Sequence, residues 1–196
     1  MQVNVERLSA SVPLKGRQQW DVLHDLWNAQ DADNRFGISL CKPFRPTAVD
    51  VIERIGDTTV FWYQRDVYGP GRKTSIDRYG LVGLSAINPA DRRCILTEGV
   101  SDFLSLKMCY PETNVLGFTT LGGNRAAMTI LLALMDKILY VADNDMGKDD
   151  NTGLRGALRI KNTLERYGKH VSVVIPDAPA KDITQQILKE CQRSTR

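Results

Sequence analysis

The chain has 196 residues, of which 42% are hydrophobic and 25% charged, with a formal net charge of +3 and a pI near 8.7. That apolar content supports one moderate domain or two small ones and excludes an intrinsically disordered chain. No apolar run approaches the roughly 20 residues that cross a bilayer, and the opening MQVNVERLSASVPLKG lacks the charged-then-apolar pattern of a signal peptide; a cytoplasmic protein without membrane contact is expected.

In chain order, QQWDVLHDLWNAQ (18–30) sets Trp20, Leu23, Leu26 and Trp27 on one face of a helix. TTVFWYQRDVYGPGRKTSIDRYG (58–80) reads as a strand, a turn at Gly69-Pro70-Gly71 and a returning strand. Arg65, Arg72, Lys73 and Arg78 flank that turn. They suit neutralisation of phosphates and equally a solvated hairpin. Phe61, Trp62 and Tyr63 could stack on bases, but at least two of them are expected in the core. A boundary near NPADRR (88–93) divides a mixed α+β segment, 1–90, from a second domain, 91–196.

Beyond the boundary, strands and helices alternate. Strands are predicted at 93–98, 114–118, 137–142 and 170–175, and helices at 100–110, 124–135, 151–168 and 182–191, the last with Asp182 as N-cap. Such alternation implies right-handed crossovers and a parallel sheet covered on both faces. KILYVA (137–142) is apolar at successive positions, which predicts a central strand buried on both sides. The mildly basic charge is compatible with a polyanionic partner. Cys41, Cys94, Cys109 and Cys191 have no metal-binding spacing, and His24 and His170 are remote from them. Free thiols are expected rather than a zinc site.

Acidic residues gather where the predicted strands end. Glu98-Gly99-Val100-Ser101-Asp102 leads from the first strand into its helix, Asp143-Asn144-Asp145 closes the third strand, and Lys181-Asp182 follows the fourth. Two carboxylates two residues apart in extended chain point to one side, so Asp143 and Asp145 can face one ion. Gly99 permits a turn without a Cβ, and Asp102 falls in a first helical turn, where the dipole favours negative charge. In open parallel sheets ligands bind beyond the carboxyl ends of the strands. Crowded carboxylates of this kind suit Mg²⁺ or Mn²⁺, hard cations that bridge to phosphate oxygens. Each signal alone also fits an ordinary turn or cap; their joint placement at successive strand ends carries the weight.

ILTEGVSDFLSLK, TTLGG, LYVADNDMGKDDNTG and VSVVIPDAPAKDITQQI together resemble a Toprim domain, the metal-binding module of bacterial-type primases, topoisomerases and some nucleases. The resemblance spans roughly residues 92–190 and is nearest to the primase branch. It implies an α/β, Rossmann-like domain with a central parallel sheet flanked by helices, preceded by a smaller basic mixed α+β subdomain. By motif position, Asp143 and Asp145 would be metal ligands and Asp102 and Asp182 supporting or second-metal ligands. Glu98 would be a ligand or the general acid/base. Gly122 and Gly123 would form a tight turn beside the site, and Lys181 would meet nucleotide or nucleic acid. The implied activity is synthesis of short RNA primers from NTPs on single-stranded DNA with Mg²⁺ or Mn²⁺. A helicase and a separate template-reading domain are candidate further partners, since neither flanking domain of replicative primases has a counterpart in this sequence. The alternatives are a Toprim nuclease and a non-catalytic DNA-binding or replication accessory protein.

Overall fold

The computed structural model describes residues 17–42, 48–66, 72–120, 123–145, 151–177 and 179–187; side chains are described from residue 19 onward, those of 72–75 excepted. Helix α1 (Arg17–Gln30) precedes an antiparallel sheet of β1 (Ile38–Cys41), β2 (Ala48–Ile55), β3 (Thr58–Asp66) and β4 (Arg72–Asp77), in the order β1-β2-β3-β4. A second sheet follows, built from β5 (Leu81–Val82), β6 (Arg93–Thr97), β7 (Val115–Phe118), β8 (Lys137–Val141) and β9 (His170–Val174). Its order is β5-β7-β6-β8-β9. Strands β6 to β9 run parallel, and β5 pairs antiparallel with β7. The connecting helices are α2 (Val100–Cys109), α3 (Arg125–Leu134) and α4 (Thr152–Arg166), and residues 183–187 form a further helical turn. This is the α/β architecture expected, a helix-flanked parallel sheet preceded by a smaller α+β unit. Among the described residues, no helix is long and apolar enough to cross a membrane.

The expected face of α1 is the one that packs. Trp20, Leu23 and Trp27 are buried, and Trp27 lies 6.3 Å, ring to ring, from Phe103 of α2. The α1 and α2 side chains share one apolar cluster with Ile38, Val51 and Phe61 of the first sheet and Val115 of the second. The two sheets are therefore cemented through these helices. On the opposite face, Leu131 of α3 and Ala157, Ile160 and Leu164 of α4 cover Leu96, Ile138 and Tyr140. Phe61 and Tyr63 join the first cluster, as expected for at least two of the three aromatics, while Trp62 is half-buried.

Two details differ from the sequence reading. The third predicted strand, β8, is not buried on both sides: Leu139 is 38% exposed, and Val174 of β9 is 43% exposed on the neighbouring strand. The reason is that α2 packs over β6 and β7, whereas α3 and α4 cover the other face. The apolar run KILYV thus follows an alternating burial pattern. Leu81 and Val82, upstream of NPADRR, already belong to the second sheet through their pairing with Phe118 and Gly117.

A buried carboxylate joins the sheets. Glu53 on β2 accepts from the backbone amides of Gly83 (3.1 Å) and Ser85 (2.7 Å) and from the Ser85 hydroxyl (2.8 Å). Ser85 Oγ also lies 2.6 Å from the Phe36 carbonyl. A side chain at Gly37, with φ +65°, would meet the Arg54 carbonyl and Ser85 Cβ at 2.9 Å, so the contact between the units is tight there.

Candidate active site

The chain passes from β6 through α2 to β7, then crosses back to β8 on the other side of β6. This reversal opens a crevice between the carboxyl ends of β6 and β8, the place where open α/β sheets bind ligands. Thr97 pairs with Val141 at that end. The next residues are Glu98 on one side and Ala142-Asp143 on the other. The sheet register alone therefore brings the first two acidic clusters together.

Glu98 is held in a confined, negatively charged setting. Its carboxyl is pushed up to about 8, first by burial and then by the charges of Asp143, Asp102 and Asp145, against an opposing hydrogen bond from the Asp143 amide. The Tyr140 hydroxyl donates to Glu98 Oε1 at 3.5 Å. Burial, with the adjacent Glu98 charge second, raises the Tyr140 phenol and keeps it a donor.

Asp102 is buried on α2 and accepts from the Thr184 amide (3.2 Å) and hydroxyl (2.7 Å). Ser105 in turn donates to Thr184 Oγ1 at 3.0 Å. Burial, then the Asp182 charge, lifts the Asp102 carboxyl to about 7. Asp182 is the N-cap the sequence suggested, accepting from the Gln185 amide at 2.8 Å, and burial raises its own carboxyl. These contacts draw the late Lys-Asp motif against α2, so the third acidic cluster joins the first.

Asp143 and Asp145 are 25% and 11% exposed, and Lys181 Nζ stands 3.8 Å from a carboxylate oxygen of each. Asn144 between them is buried. Its amide donates to the Lys181 carbonyl (2.6 Å) and its side chain to the Pro176 carbonyl (3.0 Å). Sequence reasoning missed this residue, because its partners lie more than thirty positions away. It turns inward, and the flanking carboxylates face the crevice with Lys181. Gly153 at the start of α4 donates to Asp145 Oδ2 (3.3 Å), and a Cβ there would meet the Asp143 carbonyl at 2.7 Å.

The glycines behave differently from one another. Gly99 is extended (φ −149°), so its place at the α2 N-cap needs no left-handed freedom. Gly123 has φ +67°, and a Cβ there would collide with the Phe118 ring. Gly122 lies outside the described residues, as do 146–150 of the acidic loop. Of the basic residues, Arg65 is half-buried with Nε lacking a hydrogen-bond partner, Arg78 is exposed, and the side chains of Arg72 and Lys73 are outside the described set. Asp77, beside Arg78, accepts from the Gly80 amide (2.7 Å) and the Thr119 hydroxyl (2.5 Å). Thr119 follows β7, so the base of the basic hairpin is tied to the carboxyl-end loops of the parallel sheet.

The side chains that could hold a hard divalent cation are thus Asp143, Asp145 and Glu98, with Asp102 and Asp182 behind them. Among the described residues no three acidic, histidine or cysteine side chains close around an ion by themselves. A few carboxylates with water completing the shell is the manner in which Mg²⁺ is bound.

Protonation of this cluster has a measurable consequence. Folded-state values near 8 and 7 for Glu98 and Asp102 stand above their ordinary values of 4.5 and 3.8. The native state then holds more protons than the unfolded chain across this interval, and stability falls as pH rises. Their contribution is complete below about pH 4 and is lost through about pH 8. Urea midpoints in EDTA should therefore decline from pH 5 to pH 8, and saturating Mg²⁺ should flatten the decline, because a bound cation favours the ionised carboxylates. A midpoint that rises over this interval in EDTA would contradict the cluster.

No protein-family profile matches the chain, and no curated protein sequence matches it. Solved structures do. The Escherichia coli primase catalytic core superposes with a TM-score of 0.64 at 17% identity, over 91% of this chain and 70% of that one. A DnaG primase catalytic domain bound to ssDNA gives 0.59 at 16% identity, over 98% and 60%. The primase fragment of the bacteriophage T7 primase-helicase protein gives 0.57 at 16% identity, over 87% and 67%. The chain has the fold of the primase catalytic core, of which the Toprim module is part, and it spans 60–70% of the length of these structures.

Proposed function

We propose that this chain is a primase-like, metal-dependent nucleotidyl transferase that synthesises short RNA primers on single-stranded DNA. The observation that carries the reading is the meeting of Glu98, Asp102, Asp143 and Asp145 at the strand-order reversal of a fold shared with primase cores. Bound Mg²⁺ or Mn²⁺ would supply positive charge against the triphosphate as its phosphoryl oxygens gain negative charge. Asp143 and Asp145, whose carboxylates lie together beside Lys181, would hold that ion. Glu98, raised by burial and its neighbours, is placed to ligate or to exchange the proton of the attacking 3′-hydroxyl. Attack forms the new phosphodiester bond, and pyrophosphate leaves. Asp102, fixed by Thr184, sets the position of α2 against the Lys181-Asp182 loop. Lys181, close to both aspartates, can turn its ammonium to the triphosphate. Arg65, Arg72, Lys73 and Arg78 supply phosphate neutralisation along the template. That the neighbours include a domain bound to ssDNA and a fragment of a primase-helicase supports ssDNA as partner, with a helicase or a template-reading domain as a further one.

The test is incubation of the chain with single-stranded DNA, labelled NTPs and Mg²⁺ or Mn²⁺, with products resolved on a denaturing gel. New short oligoribonucleotides are expected. Shortened template without new product would overturn the reading in favour of hydrolysis. Binding of DNA without any reaction would overturn it in favour of an accessory role.

A further inference from the structure

Helix α4 buries Gly153, Ala157, Ile160 and Leu164 against the sheet. At 3.6 residues per turn, Arg155, Arg159 and Arg166 fall within about 40° of one another, on the side of the helix opposite that buried line. All three are exposed, and with Leu158, Asn162 and Thr163 they line a shallow groove. The one acid on the helix, Glu165, sits round the side, ion-paired to Lys161 at 2.5 Å. An outward face that is only solvated usually interleaves both signs at i,i+4 spacing. Here Arg155 and Arg159 are i,i+4 neighbours of like charge, an arrangement that disfavours the isolated helix.

The position of the ridge adds to its composition. Helix α4 starts at the site, where Gly153 donates to Asp145, and the arginines lead away from it. From Arg155 to Arg166 the helix rises about 17 Å, long enough for its arginines to meet successive phosphates of a strand rather than a single anion. Arginine forks match phosphate oxygens in bidentate geometry. The one large exposed apolar side chain on this ridge, Leu158, gives too little apolar surface for insertion into a lipid bilayer.

We propose that the outward ridge of α4 is a nucleic-acid-binding surface that grips the phosphate backbone of single-stranded DNA beyond the carboxylate site, separately from the β3–β4 hairpin. The choice of DNA as the polyanion rests on the proposed function; the surface itself needs no turnover.

The experiment is fluorescence anisotropy of the full chain with a labelled single-stranded oligonucleotide over a series of salt concentrations, comparing wild type with the pair Arg159→Ala and Arg166→Ala. Two lost phosphate contacts should reduce the slope of log K against log[salt] by about 1.4, with affinity lowered alike for all sequences. The pair Arg159→Lys and Arg166→Lys should restore most of the slope. The pair Arg159→Gln and Arg166→Gln repeats the test should the alanine pair lose its fold. A slope unchanged in the folded neutral variants, or no DNA binding by wild type, would overturn the proposal. A reduced slope in a protein that makes no primers would leave the ridge standing while refuting the polymerase reading.

Discussion

Replacing Asp143 by Asn should lower metal-dependent primer synthesis at least about a hundredfold while leaving the fold intact. The magnitude is that of removing one preorganised charge from a centre that stabilises developing negative charge. Asn keeps the size and one oxygen of Asp143, so packing against Gly153, whose Cβ position lies 3.0 Å from Asp143 Cβ, is preserved. The Glu98 carboxyl is raised chiefly by burial and next by the Asp143 charge. The variant should therefore titrate Glu98 at lower pH and, in EDTA at pH 8, be as stable as wild type or more so. Gel quantification of primers, with thermal melting in EDTA as control, reads both halves. Full activity in the variant would show that the acidic loop after β8 is not the site. Loss of both activity and fold would show that Asp143 is a structural residue.

The second large effect lies away from the chemistry. Glu53→Ala should destabilise the chain by about 3 kcal/mol, since the Gly83 and Ser85 amides lose their acceptor at a buried site, while the Ser85 hydroxyl keeps the Phe36 carbonyl. Burial raises the Glu53 carboxyl, while the hydrogen bonds from Ser85 and Gly83 oppose that rise. Glu53→Gln should fall between wild type and alanine. It retains one acceptor oxygen but turns an NH₂ toward one of the donors. Because Glu53 is the polar tie between the antiparallel sheet and the Gly83–Ser85 segment, primer synthesis should fall with the loss of stability and recover at lower temperature. Urea unfolding checks the ranking. An alanine variant as stable as wild type would show that Glu53 is not needed to join the two sheets.

These two residues mark the limits of what the sequence discloses. The second half was legible because strand and helix signals alternate there with few interruptions, and a Glu-Gly and an Asp-x-Asp at strand ends are local patterns. The first sheet was half legible. The β3–β4 hairpin has its Gly-Pro-Gly turn, but β2, AVDVIERI, carries Asp50, Glu53 and Arg54 within an eight-residue strand and shows no clean alternation. Glu53 reads there as a surface charge. Its partners lie 30 and 32 residues away, and only the packing of the two sheets reveals them. Asp102 is a similar case. Its position in a first helical turn suggested a dipole contact, whereas its buried carboxyl is held by Thr184, 82 residues on. The exposure of Leu139 misled in the other direction, since an apolar run records no information about which helix covers which half of a sheet face. Among the site residues, Asn144 reads as one more polar loop residue, although it anchors the loop from within.

The measurement that bears most directly on the whole account is Mn²⁺ binding to the chain by electron paramagnetic resonance, without nucleotide or DNA, beside the Asp143→Asn and Asp145→Asn variants. Wild type should take up Mn²⁺, protons should be released as it binds at pH 7 because Glu98 and Asp102 are partly protonated in its absence, and either substitution should weaken binding by about an order of magnitude or more. Wild-type binding that neither substitution alters, or no binding up to millimolar Mn²⁺, would contradict the metal site.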